Sequence, residues 1–362
     1  GDSALTLLNA GAYGFNVAVG VEAGAAMSTG THNTVLGSSA GAALTSGGFN
    51  VALGYLALGS EDTRGRAVAL GYQALTTQNA DADTYNVAVG FNAGTAVTTG
   101  NNNTVIGGLA GDAINTGSQN VAVGTAALSS ATTSANNVAI GVDALGALTT
   151  SARNVAIGTE ALNGAMATGS DTDNVAVGFQ AGKVVTTGIQ NTLIGALAGD
   201  ALTTGSYNTA IGFSALTTED AHGYNTAMGY RALHNLNAGA NGYNVAVGVD
   251  AGLTMTTGIN NTIIGGLAGD AFTTASGSVA LGYNALGSTT TAIENIAIGI
   301  NALVTNVDGG KNVAVGSYAL TALDPASAAN TYNVAVGHQA GTAMTTGVTN
   351  TLIGALSGDS IT

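Results

Sequence analysis

The 362-residue sequence predicts an all-β fold, a parallel β-solenoid (β-roll) of about twenty 17-residue coils, and three observations carry that expectation. A pentad of the form Asn, β-branched, small or aliphatic, aliphatic, Gly recurs along the chain, closing first at Gly20, Gly37 and Gly54 and last at Gly354, with a base period of 17. Inside the pentad, the residue before the Gly is always aliphatic and the residue two before that is Val, Thr or Ile, the alternation of a short pleated strand. Composition agrees: 56 glycines, one proline, no cysteine, no tryptophan and only 7% charged residues exclude both a charged disordered chain and a disulfide-stapled one.

Each position of the coil has an expected role. The β-branched and aliphatic residues of the pentad, such as Val138 and Ile140, are expected to line the interior, with the intervening Ala139 on the opposite face. The Asn that opens the pentad, replaced only by Ala67 and Ser278, is expected to form a ladder up one edge, where Asn tolerates a left-handed backbone and bonds its own main chain. Three residues after the Gly stands Ala, or Ser357 in the last coil, so a second constrained segment should follow the turn, giving two short strands and two turns per coil. The next position alternates in blocks between Gly (Gly24, Gly41, Gly94, Gly111) and Leu (Leu58, Leu75, Leu128, Leu145, Leu162).

Spacing stretches to 19, 20, 19 and 21 residues before Gly90, Gly178, Gly248 and Gly337, at each return to a Gly block. The chain therefore reads as a single array, 1–362, with sub-blocks 16–85 of four coils, 86–173 of five, 174–243 of four, 244–332 of five, and an incomplete block 333–362. The first 20 residues repeat the pattern of the stretch ending at Gly248, and the expectation is an array cut from a longer one. Coils at about 4.8 Å would span roughly 95 Å. A lone roll of Ala and Val should be marginal, so several chains are expected to associate and hide the alanine face and the aliphatic block positions, as a parallel homotrimer.

Pentads such as Asn137-Val138-Ala139-Ile140-Gly141 and Asn154-Val155-Ala156-Ile157-Gly158, followed by Ala at the third position, resemble the head repeats of trimeric autotransporter adhesins. The variant at Thr98 to Gly111, Thr186 to Gly199 and Thr256 to Gly269 is similar to repeats of phage tail fibres and related surface fibres. The resemblance covers nearly the whole chain, although the coil is longer than the usual adhesin-head repeat. It implies a left-handed roll that trimerises on a virion or cell surface, extracellular and structural.

Function classes narrow accordingly. A formal charge of −14 with six scattered basic residues argues against nucleic acid and against a polybasic membrane patch, and no apolar run is long enough for a bilayer span. His32, His222, His234 and His338 occur singly, with no recurring acidic partner, so no catalytic or cofactor-binding residue is assigned and the chain is expected not to be an enzyme. In the connectors, Asp81/Asp83 and Asp171/Asp173 have the Asp-x-Asp form that can offer oxygen ligands to an occasional calcium ion. Aromatic residues gather just after the Gly (Tyr55, Tyr72, Phe91) and just before the Asn (Tyr85, Tyr243, Tyr332), where they could pack between chains or meet a cell-surface glycan or protein receptor. Recurrent Thr-Thr pairs, Thr98/Thr99 and Thr256/Thr257 among them, leave an ice-binding solenoid as an alternative, beside a self-assembled surface filament.

Overall fold

The computed structural model describes residues 1–9, 14–166, 169–325 and 329–362. The chain is an all-β parallel solenoid of about nineteen 17-residue repeats, and it divides into two compact units, Gly1–Gln180 and Ala181–Thr362. Among the described residues each unit holds ten three-residue strands, from Val17–Val19 to Val175–Val177 in the first and from Thr192–Ile194 to Thr351–Ile353 in the second. Within a unit the strands pair in parallel and in register, Val121 with Val138, Ala122 with Ala139 and Val123 with Ile140. The longer connectors do not disturb that register: Val68 pairs with Val87 across 19 residues, and Val313 with Val334 across 21. Extra residues are accommodated outside the ladder.

Among the described residues a coil has one three-residue strand, not the two strands expected, apart from a second, two-residue pair at Gly309–Gly310 and Ala329–Asn330, and the side facing the strand is built of successive turns. Those turns still hydrogen-bond from coil to coil. The N–H groups of Ala126 and Leu128 donate to the carbonyls of Gly108 and Ala144, both at 3.0 Å. Such alternating direction requires left-handed residues, and Ala126, Leu128 and Asn136 have φ of 54°, 57° and 58°. A left-handed non-glycine residue costs about 1 kcal/mol, which the inter-coil hydrogen bonds offset. At Gly107, φ is +136° and a Cβ would lie 2.5 Å from the carbonyl oxygen of Gly124, so this column accepts no side chain.

The interior is the reverse of the one expected. Ala52, Ala122 and Ala139, the middle residues of their strands, are fully buried, whereas their neighbours Leu53, Val121 and Ile140 face outward. The coil is too narrow for large side chains on both walls. The turn wall already supplies Ala127 and Leu128, so the strand wall is restricted to alanine wherever the turn carries Leu. Where the turn carries Gly, the second coil of each block has a larger residue on the strand wall: Val35, Val105, Leu193, Ile263 or Leu352. A Cβ added to Gly111 would lie 2.7 Å from Cγ1 of Val105 and 2.8 Å from Cδ1 of Ile114, which occupy the space that Leu takes in other coils. The alanine face and the block positions are thus hidden within one chain, and hiding them needs no partner.

Asparagine also differs from expectation. It is not the left-handed residue; the residue before it is, as at Phe49, Gln119 and Asn136. The Asn side chain points inward, fully buried, and serves the next coil. Oδ1 of Asn120 accepts the backbone N–H of Asn137 at 3.1 Å, while its Nδ2 donates to the carbonyl of Ser134 at 2.9 Å. Ser278 keeps the acceptor, taking the N–H of Asn295 at 3.2 Å. Past Ala67, which has none, a buried cluster fills in: Gln78 donates to Glu61 and Thr84 and accepts from Asn86.

Two outcomes follow from this packing. Asn120→Ala should cost roughly 2–4 kcal/mol, because it strands a buried N–H and a buried carbonyl, whereas Asn120→Ser should cost less than half of that; chemical denaturation measures both. Gly111→Leu alone should destabilise by at least about 2 kcal/mol through overcrowding, and the added changes Val105→Ala and Ile114→Ala should recover most of the loss by recreating a Leu-type coil.

Candidate functional site

The outward strand face is the most extensive chemical feature of the surface. In every coil the two outward strand residues are Val, Thr, Ile, Leu or Met, and the residue after the Gly is never Asp, Glu, Lys or Arg, although it is His338 in one coil. All 20 acidic and six basic residues lie elsewhere in the coil. Ile106, Ile140, Ile157, Ile194 and Met228 are each 37–38% exposed, so an aliphatic stripe lies open along each unit. A contiguous apolar surface of this extent is unusual on a protein that has no partner for it.

Aromatic columns border the stripe. On the side before the Asn, Phe15 is tilted against His32 at 5.2 Å, His32 and Phe49 stack at 4.8 Å, Arg66 lies over both Phe49 and Tyr85 at 5.5 and 5.6 Å, and Tyr207, Tyr224 and Tyr243 stack at 4.9 and 5.0 Å. On the side after the Gly, Tyr55, Tyr72 and Phe91 stack at 5.4 and 5.2 Å. Because neighbouring rings cover each other's faces, these columns turn their edges outward, and a sugar ring finds no open ring face within them. Tyr85, Tyr243 and Tyr332 are all exposed, the last beneath the Lys311 ammonium at 5.6 Å.

The acidic pairs meet cations of their own chain. Asp83 accepts from Arg66 Nε at 2.7 Å, and Asp171 and Asp173 converge on Arg153 at 2.9 and 2.8 Å. Asp81 is exposed in the same connector as Asp83. A guanidinium thus occupies the place between Asp171 and Asp173 where a shared ion would sit. Exposed pairs of this kind contribute little to stability, and their main effect is to leave no cation along that edge to attract an anionic ligand. The first threonines of the Thr-Thr pairs are also engaged: the hydroxyls of Thr186, Thr203, Thr256 and Thr273 donate to carbonyls of the next coil at 2.9–3.1 Å.

Two further acids lie where sequence reasoning did not look. Glu61 and Glu219 are fully buried at the interior position that Leu, Met or Ile fills in other coils. The signal was present as a repeated Glu-Asp-x-(Arg or His)-Gly at 61–65 and 219–223, each one coil before a 19-residue spacing. Among the described residues, Glu219, Asp220 and His222 form the one group with metal-ligating atoms all within 4.8 Å of one another. No family model matches the sequence, and no curated protein is recognisably similar to it.

Burial pushes the carboxyls of Glu61, Asp112, Asp200, Glu219 and Asp270 above their ordinary range, desolvation being the leading cause in all five. One carboxylate oxygen each of Asp112, Asp200 and Asp270 is buried without a hydrogen-bond partner. A carboxyl that binds its proton more tightly when folded stabilises the fold fully below its unfolded pKa, and that contribution is lost as pH rises through the folded one. The melting temperature should therefore rise as pH falls from neutrality toward the ordinary carboxylate range. Replacing Asp112, Asp200 and Asp270 together by Asn should raise it at neutral pH and flatten the slope, as a calorimetric pH series would show.

Proposed function

We propose that this chain is a non-enzymatic segment of an extracellular fibre, in which the uncharged strand face joins copies of the chain side by side as a parallel homotrimer. The observation that carries this reading is the absence of any Asp, Glu, Lys or Arg from the strand face of each unit in a protein whose net charge is −14. A solvent-facing sheet in such a chain would be expected to carry its share of acids, and here they are confined to turns and connectors. Ten strands in each unit present this face, and a stable interface needs roughly 800 Å² per partner.

The resemblance of the pentads to adhesin-head and tail-fibre repeats supports a left-handed coil and a role on a virion or cell surface. Function would then consist of stiffness, reach and resistance to proteolysis, with adhesion made by the connectors, by the lateral surface or by a tip that the fibre presents. Any receptor chemistry should be neutral or cationic, because four of the six basic side chains already face acids of the same chain: Arg66, Arg153, Arg231 and Lys311.

Light scattering coupled to gel filtration tests this. The expected mass is three times the 34.8 kDa of the chain, and a monodisperse monomer would overturn the proposal. Ile140→Glu with Ile157→Glu places two charges on the strand face without touching the interior. The double variant should dissociate while its circular dichroism retains the β signature, since each coil hydrogen-bonds within its own chain.

A further inference from the structure

Two columns border the strand face, formed by the residue before the Asn and the residue after the Gly of each coil. The first carries charge, at Arg66, Arg153, Asp173, Glu294 and Lys311, whereas the second holds no Asp, Glu, Lys or Arg. Where runs of rings start or stop, the two columns agree. In the first unit a run ends in the same coil on both borders, at Tyr85 and Phe91, and the next coil has Asn102 and Gly108. In the second unit a run begins in the same coil on both, at Tyr207 and Phe213, after a coil with Gln190 and Ala196. All four rings are exposed.

Nothing within one chain demands this agreement. Five residues separate Tyr207 from Phe213 and, at about 3.3 Å each, hold the borders roughly 15–20 Å apart, too far for the two side chains to meet. Gly108 is not required by its own chain either, since it lies outside the left-handed region and a Cβ there would meet nothing within 4 Å. A second copy supplies the reason. Rotation about an axis parallel to the stack keeps every coil at its own height and sets the border before the Asn of one copy against the border after the Gly of the next. An antiparallel copy would instead set the charged border against itself, in a chain whose net charge is −14. The parallel copy sets it against a border free of Asp, Glu, Lys and Arg.

We infer that in the side-by-side assembly proposed above, on which this inference rests, the two borders of neighbouring copies meet coil for coil, and that Tyr85 with Phe91 and Tyr207 with Phe213 set the alignment. Rings then pack on rings, and short side chains lie against short ones. A slip of one coil in one direction puts Tyr85 against Gly108, and a slip in the other puts Tyr207 against Ala196. Each unit thus resists one of the two slips, and the partner selected is a second copy of this chain, parallel and unshifted.

Light scattering on the full chain, with dissociation followed on dilution, tests the alignment. Tyr207→Lys and Phe213→Glu should each weaken the trimer by about tenfold or more, because each places an unpaired charge in the contact, and the two together should recover most of the loss as a close charge pair. Tyr207→Lys combined with Ala196→Glu or with Tyr230→Glu, one coil out on either side, should recover little. None of these positions lies in the interior, so the circular dichroism of every variant should match that of the parent. The chain has no cysteine, so Tyr85→Cys with Phe91→Cys, bridged by a short bis-maleimide, should run as covalent dimers and trimers under denaturation, while Tyr85→Cys alone should run as a single chain. A monomeric parent overturns the assembly and the alignment together. A trimeric parent in which the aligned pair recovers no more than the shifted pairs, in which the two-cysteine variant is not cross-linked, or in which Tyr85→Cys alone is cross-linked overturns the coil-for-coil contact and leaves the trimer standing.

Discussion

Hydrogen bonding from each coil to the next, along the stack, is the constraint to which the rest of this structure is subordinate. A three-residue strand supplies few ladder bonds, so the turns and corners have to contribute their own. Main-chain N–H groups can alternate direction around a coil only if some residues adopt the left-handed region, and those residues recur at fixed places: Phe49, Leu56 and Leu58 in one coil, Asn136, Asp143 and Leu145 in another. The asparagine ladder completes the pattern at the one corner where the main chain leaves a buried N–H without a carbonyl, as Asn103, Asn120 and Asn137 do in succession.

Packing is then fitted around this hydrogen-bonded frame. The space within a coil is small and nearly constant, so a large side chain at one wall requires a small one at the other. Leu128 stands opposite Ala122 and Ala139, and Gly111 opposite Val105 and Ile114. Blocks of Gly-type and Leu-type coils are two solutions of one volume constraint. Insertions fall where a Leu block gives way to a Gly block, and at two of them a buried carboxylate, Glu61 or Glu219, accepts a main-chain N–H of the longer connector, from Ala80 or Ala238.

The same frame sorts the surface. Most inward positions take alanine, glycine, an aliphatic residue or the ladder asparagine, and apart from the buried Glu61 and Glu219 the charge is kept to corners and connectors and avoids the outward strand face. Charges that lie at corners meet partners at coil spacing, as Arg153 does with Asp173 and Arg231 with Asp250, and aromatic rings there stack on one another. The strand face is left uncharged and open. Its uniformity contrasts with the variety of the corners.

Period, coil number, parallel register, the glycine column and the block pattern were all legible in the sequence, because each arises from a demand that one position makes identically in every coil. Which way the side chains face was not. A two-residue alternation such as Val138-Ala139-Ile140 is satisfied equally by either face, and hydrophobicity alone favoured the larger residues inside. Only the tertiary structure decided for alanine, because the turn wall, brought across from residues such as Leu128 and Leu145, had already taken the interior volume. The same holds for Glu61 and Glu219: their repeated motif could be read, but their burial depends on which main-chain groups of the next coil are left to satisfy.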